Sequence, residues 1–290
     1  MCLTPHLRFS ISPRPYRLFV GNAAPVEDRT TGRIWVPFCR NNEEIWISYS
    51  DDQGQTWAAP SWLPGLVQPS WQWVGLGPPG AIQLKSGRLL VPAYHSTSPW
   101  KGDGCVSAGF TMYSDDSGRS WQVSADFGAP FKANECQAVE LANGDVLIAA
   151  RTISTHRIQV TSHDGGQTFD APYVVPKDSL QQTIEGCEGS IVRDDASVVA
   201  PNVLYFSNPN NDLIIRRNMT IFQSLNDGQS WGVFRSVDRG AVAYSSMQVL
   251  PAGATVGKGV RKLMLLYERS DSMEVVFEPD EIVLWAVELE

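Results

Sequence analysis

The stretch Ser50-Asp51-Asp52-Gln53-Gly54-Gln55-Thr56-Trp57 decides the fold, because its pattern returns three more times along the chain. The pattern is Ser, any residue, Asp, any residue, Gly, any residue, Thr or Ser, and then an aromatic residue; each copy is called a box below. The later boxes have Ser114, Asp116, Gly118, Ser120 and Trp121, then Ser162, Asp164, Gly166, Thr168 and Phe169, and finally Ser224, Asn226, Gly228, Ser230 and Trp231. Four copies in 290 residues indicate a structural repeat.

The residue types of the box predict a tight turn between two strands. Asp and Asn side chains hydrogen-bond to nearby backbone groups, and Gly adopts a positive φ without strain. The boxes start at residues 50, 114, 162 and 224, so they are 64, 48 and 62 residues apart. This spacing fits four-stranded antiparallel units and is typical of a β-propeller. We expect the box Asp residues to be structural, and the closing aromatics Trp57, Trp121, Phe169 and Trp231 to be buried at the periphery.

Alternating polar and apolar runs around the boxes predict five such units and no long helix. The first unit covers residues 18–62, and the connector after it, residues 63–79, contains Trp71 and Trp73, which either pack between blades or line a pocket. Asn143-Gly144 predicts a hairpin in the third unit. A fifth unit, residues 241–290, has no box. We therefore predict an all-β chain with an irregular segment at residues 1–17 and a propeller domain at residues 18–290.

The composition excludes several classes of function. A formal charge of −8 and a pI near 5.1 give no electrostatic support for binding nucleic acid or anionic membranes. No cofactor and no metal are predicted, because the Cys and His residues lack ligand spacing and the thiols are expected to be free. The residues concerned are Cys2, Cys39, Cys105, Cys136, Cys187, His6, His95, His156 and His163.

Neither an apolar signal-peptide run nor a stretch of transmembrane length is visible in the sequence. The sequence therefore does not identify the cellular compartment. The chain as written suggests a cytoplasmic protein, whereas a truncated N-terminus would allow a secreted one.

Several charged or phenolic residues stand where predicted strands begin or end, which in a propeller places them at the mouth of the central channel. Each of them alone is more often a surface charge or a structural ion pair. The residues are Glu135, Arg151, Arg216, Arg217, Tyr244 and Glu268.

The sequence around these residues, together with the boxes, resembles the exo-α-sialidases (neuraminidases). The motifs that carry the resemblance are Asn134-Glu135-Cys136-Gln137, Phe206-Ser207-Asn208-Pro209, Arg216-Arg217-Asn218-Met219-Thr220, Ala243-Tyr244-Ser245-Ser246 and Leu266-Tyr267-Glu268. Their order and approximate spacing also match, over residues 21–290. The resemblance implies a six-bladed propeller, of which about five blades can be recognised in this sequence and the first is missing. It also implies a retaining glycoside hydrolase that removes terminal sialic acids from glycoconjugates.

Carried over by motif, the resemblance implies a role for each candidate residue. Tyr244 is the expected nucleophile, and Glu135 is its base. Arg151 and Arg216 are expected to bind the carboxylate of the sugar, with Arg217 the less favoured of the adjacent pair. Glu268 is similar to the acidic residue that orients the remaining arginine of that group.

The chemistry accounts for these residue types. Planar guanidinium groups bind carboxylates through paired hydrogen bonds and keep their charge at any working pH, so an acidic protein can still bind an anion. A carboxylate nucleophile would be repelled by the carboxylate on the anomeric carbon of sialic acid, which favours a neutral phenol. Since a tyrosine of ordinary pKa near 10 is protonated at neutral pH, it needs an adjacent base.

The sequence departs from the family pattern near its start. The Arg-Ile-Pro strand that supplies the first arginine, and the Asp that acts as general acid, are not found before the first matched motif; Tyr16-Arg17-Leu18-Phe19 resembles that strand only faintly, and Asp28 is a weak candidate for the acid. We therefore expect weak or no turnover of natural sialosides, with residual activity on aryl sialosides. The alternatives are a catalytically impaired propeller that binds sialosides, and a structural or protein-binding propeller.

Overall fold

The computed structural model describes residues 18–98, 107–176, 178–197, 199–200, 202–252, 260–271 and 279–289. The predicted irregular segment at residues 1–17 lies outside this part of the chain, and so do Cys2, His6, Tyr16, Arg17 and Cys105.

The described chain forms four antiparallel β-sheets in sequence order. Sheet one contains β1 (Val20–Gly21), β2 (Val26–Asp28), β3 (Arg33–Arg40), β4 (Glu44–Ser50) and β5 (Ser61–Trp62). Sheet two contains β6 (Trp73–Leu76), β7 (Ile82–Gln83), β8 (Leu89–Ser96), β9 (Ser107–Ser114) and β10 (Gln122–Val123). Sheet three contains β11 (Cys136–Glu140), β12 (Val146–Ala150), β13 (Ile158–Ser162) and β14 (Tyr173–Val174). Sheet four contains β15 (Ser190–Arg193), β16 (Leu204–Pro209), β17 (Arg217–Ser224), β18 (Gly232–Leu250), β19 (Arg261–Ser270) and β20 (Glu281–Leu289).

This all-β propeller arrangement confirms the predicted fold class, and the helical structure of the described residues is one 3-10 turn at Ala129–Phe131. The predicted number of about five blades is wrong. The described residues form four sheets, because the fourth and fifth predicted units share one six-stranded sheet. The reason is β18, which continues across the predicted boundary at residue 241. Its first half pairs with β17 and its second half pairs with β19, and Ala241 is paired to both neighbours.

Each box is the turn between two neighbouring strands, as its residue types predict. In the first box the Ser50 hydroxyl accepts the N–H of Gly54 at 2.8 Å, and Gly54 has a φ of +84°. The Asp52 carboxylate accepts the N–H of Thr56 at 2.8 Å and its hydroxyl at 2.6 Å. The same contacts recur in the second and third boxes. In the fourth, Asn226 accepts the N–H of Ser230 at 3.0 Å and donates its amide to the Ser230 hydroxyl.

The aromatic residues that close the boxes are not all buried. Trp121 and Trp231 are buried and pack edge-on against Trp35 and Phe206, and the half-buried Phe169 packs on Phe127. Trp57 is 48% exposed, so the prediction is wrong at that position.

The packing behind each box explains why Trp57 is exposed while the other box aromatics are buried or half-buried. The glycines of the last three boxes lie close against the preceding sheet: a Cβ added at Gly118, Gly166 or Gly228 would come within 2.3, 2.6 or 2.7 Å of Trp35, Leu90 or Leu147. A Cβ on Gly54 would meet only Trp57 within 4 Å. Burial of a box aromatic is therefore set by the sheet behind the box.

Strands of all four sheets meet around a common cavity. A cavity of about 360 Å³ is lined by Val26 of β2, Ile82 of β7, Ala138 of β11, Ile191 of β15 and Gln248 of β18. Glu140, the last residue of β11, also lines this cavity. Since strands rise ~3.3 Å per residue, Glu135, which precedes β11, lies roughly 16 Å from Glu140, at the opposite end of the strand.

The box carboxylates are expected to make the stability of the folded protein sensitive to acid. Hydrogen bonds from Thr56 lower the pKa of Asp52 from 3.8 to about 2. Because the pKa is lower in the folded state, the stabilisation is present above pH 3.8 and is lost as the pH falls through about 2. We expect Asp52→Asn, which copies the natural Asn226, to fold normally at pH 7 and to lose less stability than the wild type between pH 4 and pH 2. Urea denaturation at several pH values measures this; parallel pH profiles for the two proteins would contradict it.

No helix in the described part of the chain is long and apolar enough to span a membrane.

Candidate functional site

Glu135 and Arg151 face each other at one end of the β11 and β12 pair. The antiparallel ladder continues one step beyond the strands, because Arg151 N–H donates to the Glu135 carbonyl at 2.8 Å and Asn134 N–H donates to the Arg151 carbonyl at 3.0 Å. Both side chains are buried, at 6% and 8% exposure. Arg151 Nη1 donates to Glu135 Oε2 at 2.6 Å, so the two buried charges neutralise each other.

A turn at residues 183–186 fixes the other side of the Arg151 guanidinium. Arg151 Nε and Nη2 donate to the Glu185 carbonyl at 3.0 and 2.9 Å. Glu185 and the next residue, Gly186, have φ values of +64° and +70°. Burial would lower the pKa of Arg151, but the negative charge of the nearby Glu135 raises it overall. Arg151 is therefore a rigid, permanently charged group.

Tyr244 comes from β18 and reaches the same carboxylate. Its hydroxyl donates to Glu135 Oε1, while Arg151 occupies Oε2. Burial and the nearby Glu135 charge raise the pKa of Tyr244 well above its ordinary value. The phenol is therefore neutral at physiological pH, and it becomes a nucleophile only if Glu135 takes its proton during attack.

Of the two adjacent arginines, Arg216 reaches the candidate site. Its guanidinium carbon lies 5.5 Å from the centroid of the Tyr244 ring, within the range of a cation–π contact. Arg216 also holds β18 through its carbonyl, which accepts the N–H of Val242 at 3.2 Å. Arg217 begins β17 and pairs with Ala241 in the ladder.

Glu268 of β19 touches the backbone of Tyr244, since its Oε2 accepts the Tyr244 N–H at 3.0 Å. The structure thus brings all five predicted site residues together, although they span residues 135–268 of the sequence. Asp28, the weak candidate for the acid, does not join them. Its carboxylate accepts hydrogen bonds from Thr30 and Thr31 in the turn after β2 and from Gln83 of sheet two.

Two features of the site were not predicted from the sequence. One is the Glu185 carbonyl, a backbone acceptor that no side-chain pattern could identify. The other is Glu188, a carboxylate 1% exposed whose Oε2 accepts the N–H of Ser245 at 2.8 Å, next to Tyr244. The signal that could have found Glu188 is a charged residue in the small-residue context Gly186-Cys187-Glu188-Gly189-Ser190, which suggests burial.

The site carries no sign of a metal ligand set: no group of three or more His, Cys, Asp or Glu side chains among the described residues is arranged to hold an ion. The arrangement instead combines a neutral phenol, its carboxylate acceptor and two cations. Such a set can bind an anionic substrate and deliver an oxygen nucleophile to it.

Residues 9–256 match the family described as BNR repeat-like domain. The chain belongs to this family. BNR repeats are the box turns described above, so the match agrees with the repeat read from the sequence.

The relatives of this BNR-repeat protein include sialidases. It is 31% identical to Sialidase-3 of Mus musculus over 198 residues, which cover 59% of this chain and 47% of that protein. It is 29% identical to the sialidase of Micromonospora viridifaciens over 214 residues, covering 71% of this chain and 32% of that protein. The predicted membership of a sialidase family with box repeats is confirmed. The chain spans between 29% and 62% of the length of the curated relatives it matches.

Solved structures give the same fold. Hadza microbial sialidase Hz136 matches with a TM-score of 0.76 at 23% identity, over 94% of this chain and 53% of that one. The intramolecular trans-sialidase from Ruminococcus gnavus, solved with oseltamivir carboxylate, matches with a TM-score of 0.67 at 25% identity, over 86% of this chain and 51% of that one.

Proposed function

We propose that this BNR-repeat protein is a sialidase, a glycoside hydrolase that removes terminal sialic acids from glycoconjugates with retention of anomeric configuration. The observation that carries the proposal is the hydrogen bond from the Tyr244 hydroxyl to Glu135, whose other oxygen is paired with Arg151. A partly buried phenol bonded to a carboxylate is the arrangement that a tyrosine nucleophile requires.

In the proposed reaction, the Tyr244 oxygen attacks the anomeric carbon while its proton moves to Glu135. The bond from the anomeric carbon to the aglycone oxygen breaks, and a tyrosyl glycoside forms. Water then attacks the anomeric carbon from the face that the aglycone left, and the bond to the tyrosyl oxygen breaks. Tyr244 takes its proton back from Glu135, and the proton that water loses passes through solvent to the aglycone anion, so the products are free sialic acid, the protonated aglycone and neutral Tyr244. Two inversions at one carbon give net retention.

Arg151 and Arg216 are the groups proposed to bind the substrate carboxylate. Arg151 is rigid because Glu135 and the Glu185 carbonyl hold it on two sides. Arg216 lies beside the Tyr244 ring, so an anion held there would be close to the phenolic oxygen. Charge-assisted hydrogen bonds of this kind are worth about 1.5–3 kcal/mol each. Glu268 is proposed to support the site through the Tyr244 backbone.

An aryl α-sialoside tests the proposal most directly. Its phenolate leaves without needing a proton, so the test does not depend on a general acid. We expect release of the phenol, with the α-anomer of sialic acid as the first product seen by proton NMR. The β-anomer appearing first would exclude the retaining mechanism, and binding of the sialoside without release of phenol would favour the alternative of a non-hydrolytic sialoside-binding propeller.

A further inference from the structure

The backbone of β18 is irregular at the residues next to Tyr244. Val242 of β18 lies opposite Arg269 of β19, and Ser245 lies opposite Tyr267. The chain therefore advances three residues along β18 but only two along β19 between these two pairs. One extra residue therefore sits in β18, which is a β-bulge. Bulges re-aim side chains and leave backbone groups outside the ladder, so the N–H groups here need other acceptors.

Two carboxylates from different elements supply those acceptors. Glu268 Oε2 accepts the Tyr244 N–H at 3.0 Å, and Glu188 Oε2 accepts the Ser245 N–H at 2.8 Å. The Ser245 hydroxyl also lies 2.8 Å from the Ser207 hydroxyl of β16. The bulge is thus held from both sides, by β19 and by the inner part of sheet four.

Glu188 belongs to a short series of side-chain contacts between the start of β15 and β18. Two residues further along both strands, the Ser190 hydroxyl accepts the Met247 N–H at 3.0 Å. Both contacts use the same geometry, a side-chain oxygen on the β15 side and a backbone N–H of β18. They differ in their distance from Tyr244, since Ser245 adjoins it and Met247 does not.

We propose that Glu188 is a positioning residue for Tyr244, which fixes the bulge through the Ser245 N–H and so presents the phenol to Glu135. The side chain is 1% exposed, and burial raises the pKa of its carboxyl group well above the ordinary value. A neutral carboxylic acid accepts a hydrogen bond through its carbonyl oxygen, as a glutamine amide does. The Ser245 N–H needs an acceptor oxygen at this position, which a glutamine side chain also supplies.

The kinetic test rests on the proposed function, and its substrate is the aryl α-sialoside. Glu188→Ala removes the acceptor, and a displacement of about 1 Å in a reacting group costs ~10²-fold in rate. We expect kcat to fall by about 10- to 100-fold with KM changed by less than about threefold. Glu188→Gln keeps the acceptor and should stay within about threefold of the wild type. Ser190→Ala is the matched control; it removes the equivalent contact and should lower the melting temperature without lowering kcat.

A spectroscopic test does not depend on turnover. In protein carrying tyrosine labelled with ¹³C at Cζ, the signal that disappears in Tyr244→Phe belongs to Tyr244. We expect this signal to shift or broaden in Glu188→Ala and to stay unchanged in Glu188→Gln and Ser190→Ala.

The results separate the two proposals. A wild-type protein without turnover would contradict the proposed function, and the Tyr244 signal alone would then decide the role of Glu188. Glu188→Ala and Ser190→Ala with equal effects on kcat and on the Tyr244 signal would overturn the positioning role. Glu188→Gln as damaging as Glu188→Ala would overturn it as well, because the acceptor is retained in that variant.

Discussion

Tyr244→Phe is expected to abolish turnover of an aryl α-sialoside, with kcat lower by at least ~10²- to 10⁴-fold, the contribution typical of a positioned proton-transfer group. The hydroxyl is the atom that donates to Glu135 and is proposed to attack the anomeric carbon. Phenylalanine keeps the ring beside Arg216, so substrate binding should change little. Release of phenol under saturating and subsaturating substrate separates kcat from KM.

The matched control is Tyr94→Phe. Tyr94 is a second buried phenol whose pKa is raised by burial and by the charge of Glu135, which places it near the same carboxylate. Its hydroxyl accepts a hydrogen bond from Trp73 Nε1 at 3.4 Å, a contact outside the proposed reaction. We expect Tyr94→Phe to retain turnover within a few fold. Equal losses in the two variants would mean that Tyr244 acts through the electrostatics of the pocket and not as a nucleophile.

The parts of the fold that depend on local chemistry could be predicted from the sequence. Ser50, Asp52 and Gly54 form the predicted turn because each makes its contact within a few residues. Trp57 was mispredicted because burial of a box aromatic depends on packing against another sheet, which the residues of the box do not encode. The path of β18 is also non-local. Ala241 stands where the predicted fifth unit begins, but in the structure it is the residue at which the strand changes partner.

The same distinction between local and non-local features applies to the candidate site. Glu135, Arg151, Arg216, Tyr244 and Glu268 are side-chain groups with distinctive chemistry, so motifs could nominate them. Their supports could not be nominated in this way. The Glu185 carbonyl has no residue-type signature, and Glu188 acts on a bulge that exists only once β18 and β19 have paired. The sequence thus identified the groups proposed to meet the substrate and one support, Glu268, but not the Glu185 carbonyl or Glu188.

Gly186→Ala is expected to damage the site through one of these unpredicted supports. Gly186 has a φ of +70°, and a Cβ there would lie 2.6 Å from the Thr152 carbonyl oxygen and 2.7 Å from Arg151 Cγ. The left-handed backbone costs about 1–2 kcal/mol for an L-residue, and overpacking adds about 1–3 kcal/mol. Since the neighbours are backbone and a side chain held at three points, the turn must move away from Arg151. We expect kcat/KM on the aryl sialoside to fall by ~10²-fold, the effect of a displacement near 1 Å.

Gly144→Ala separates displacement of Arg151 from simple backbone strain. Gly144 has a φ of +92° in the turn between β11 and β12, and a Cβ there would meet nothing within 4 Å. This variant should lose about 1–2 kcal/mol in urea denaturation, from the backbone alone, and keep its kcat/KM. If both variants lost activity in proportion to their loss of stability, the Glu185 carbonyl would have no specific part in holding Arg151. If only Gly186→Ala lost activity while both remained folded at the assay temperature, the turn at residues 183–186 would be the support that keeps Arg151 against Glu135.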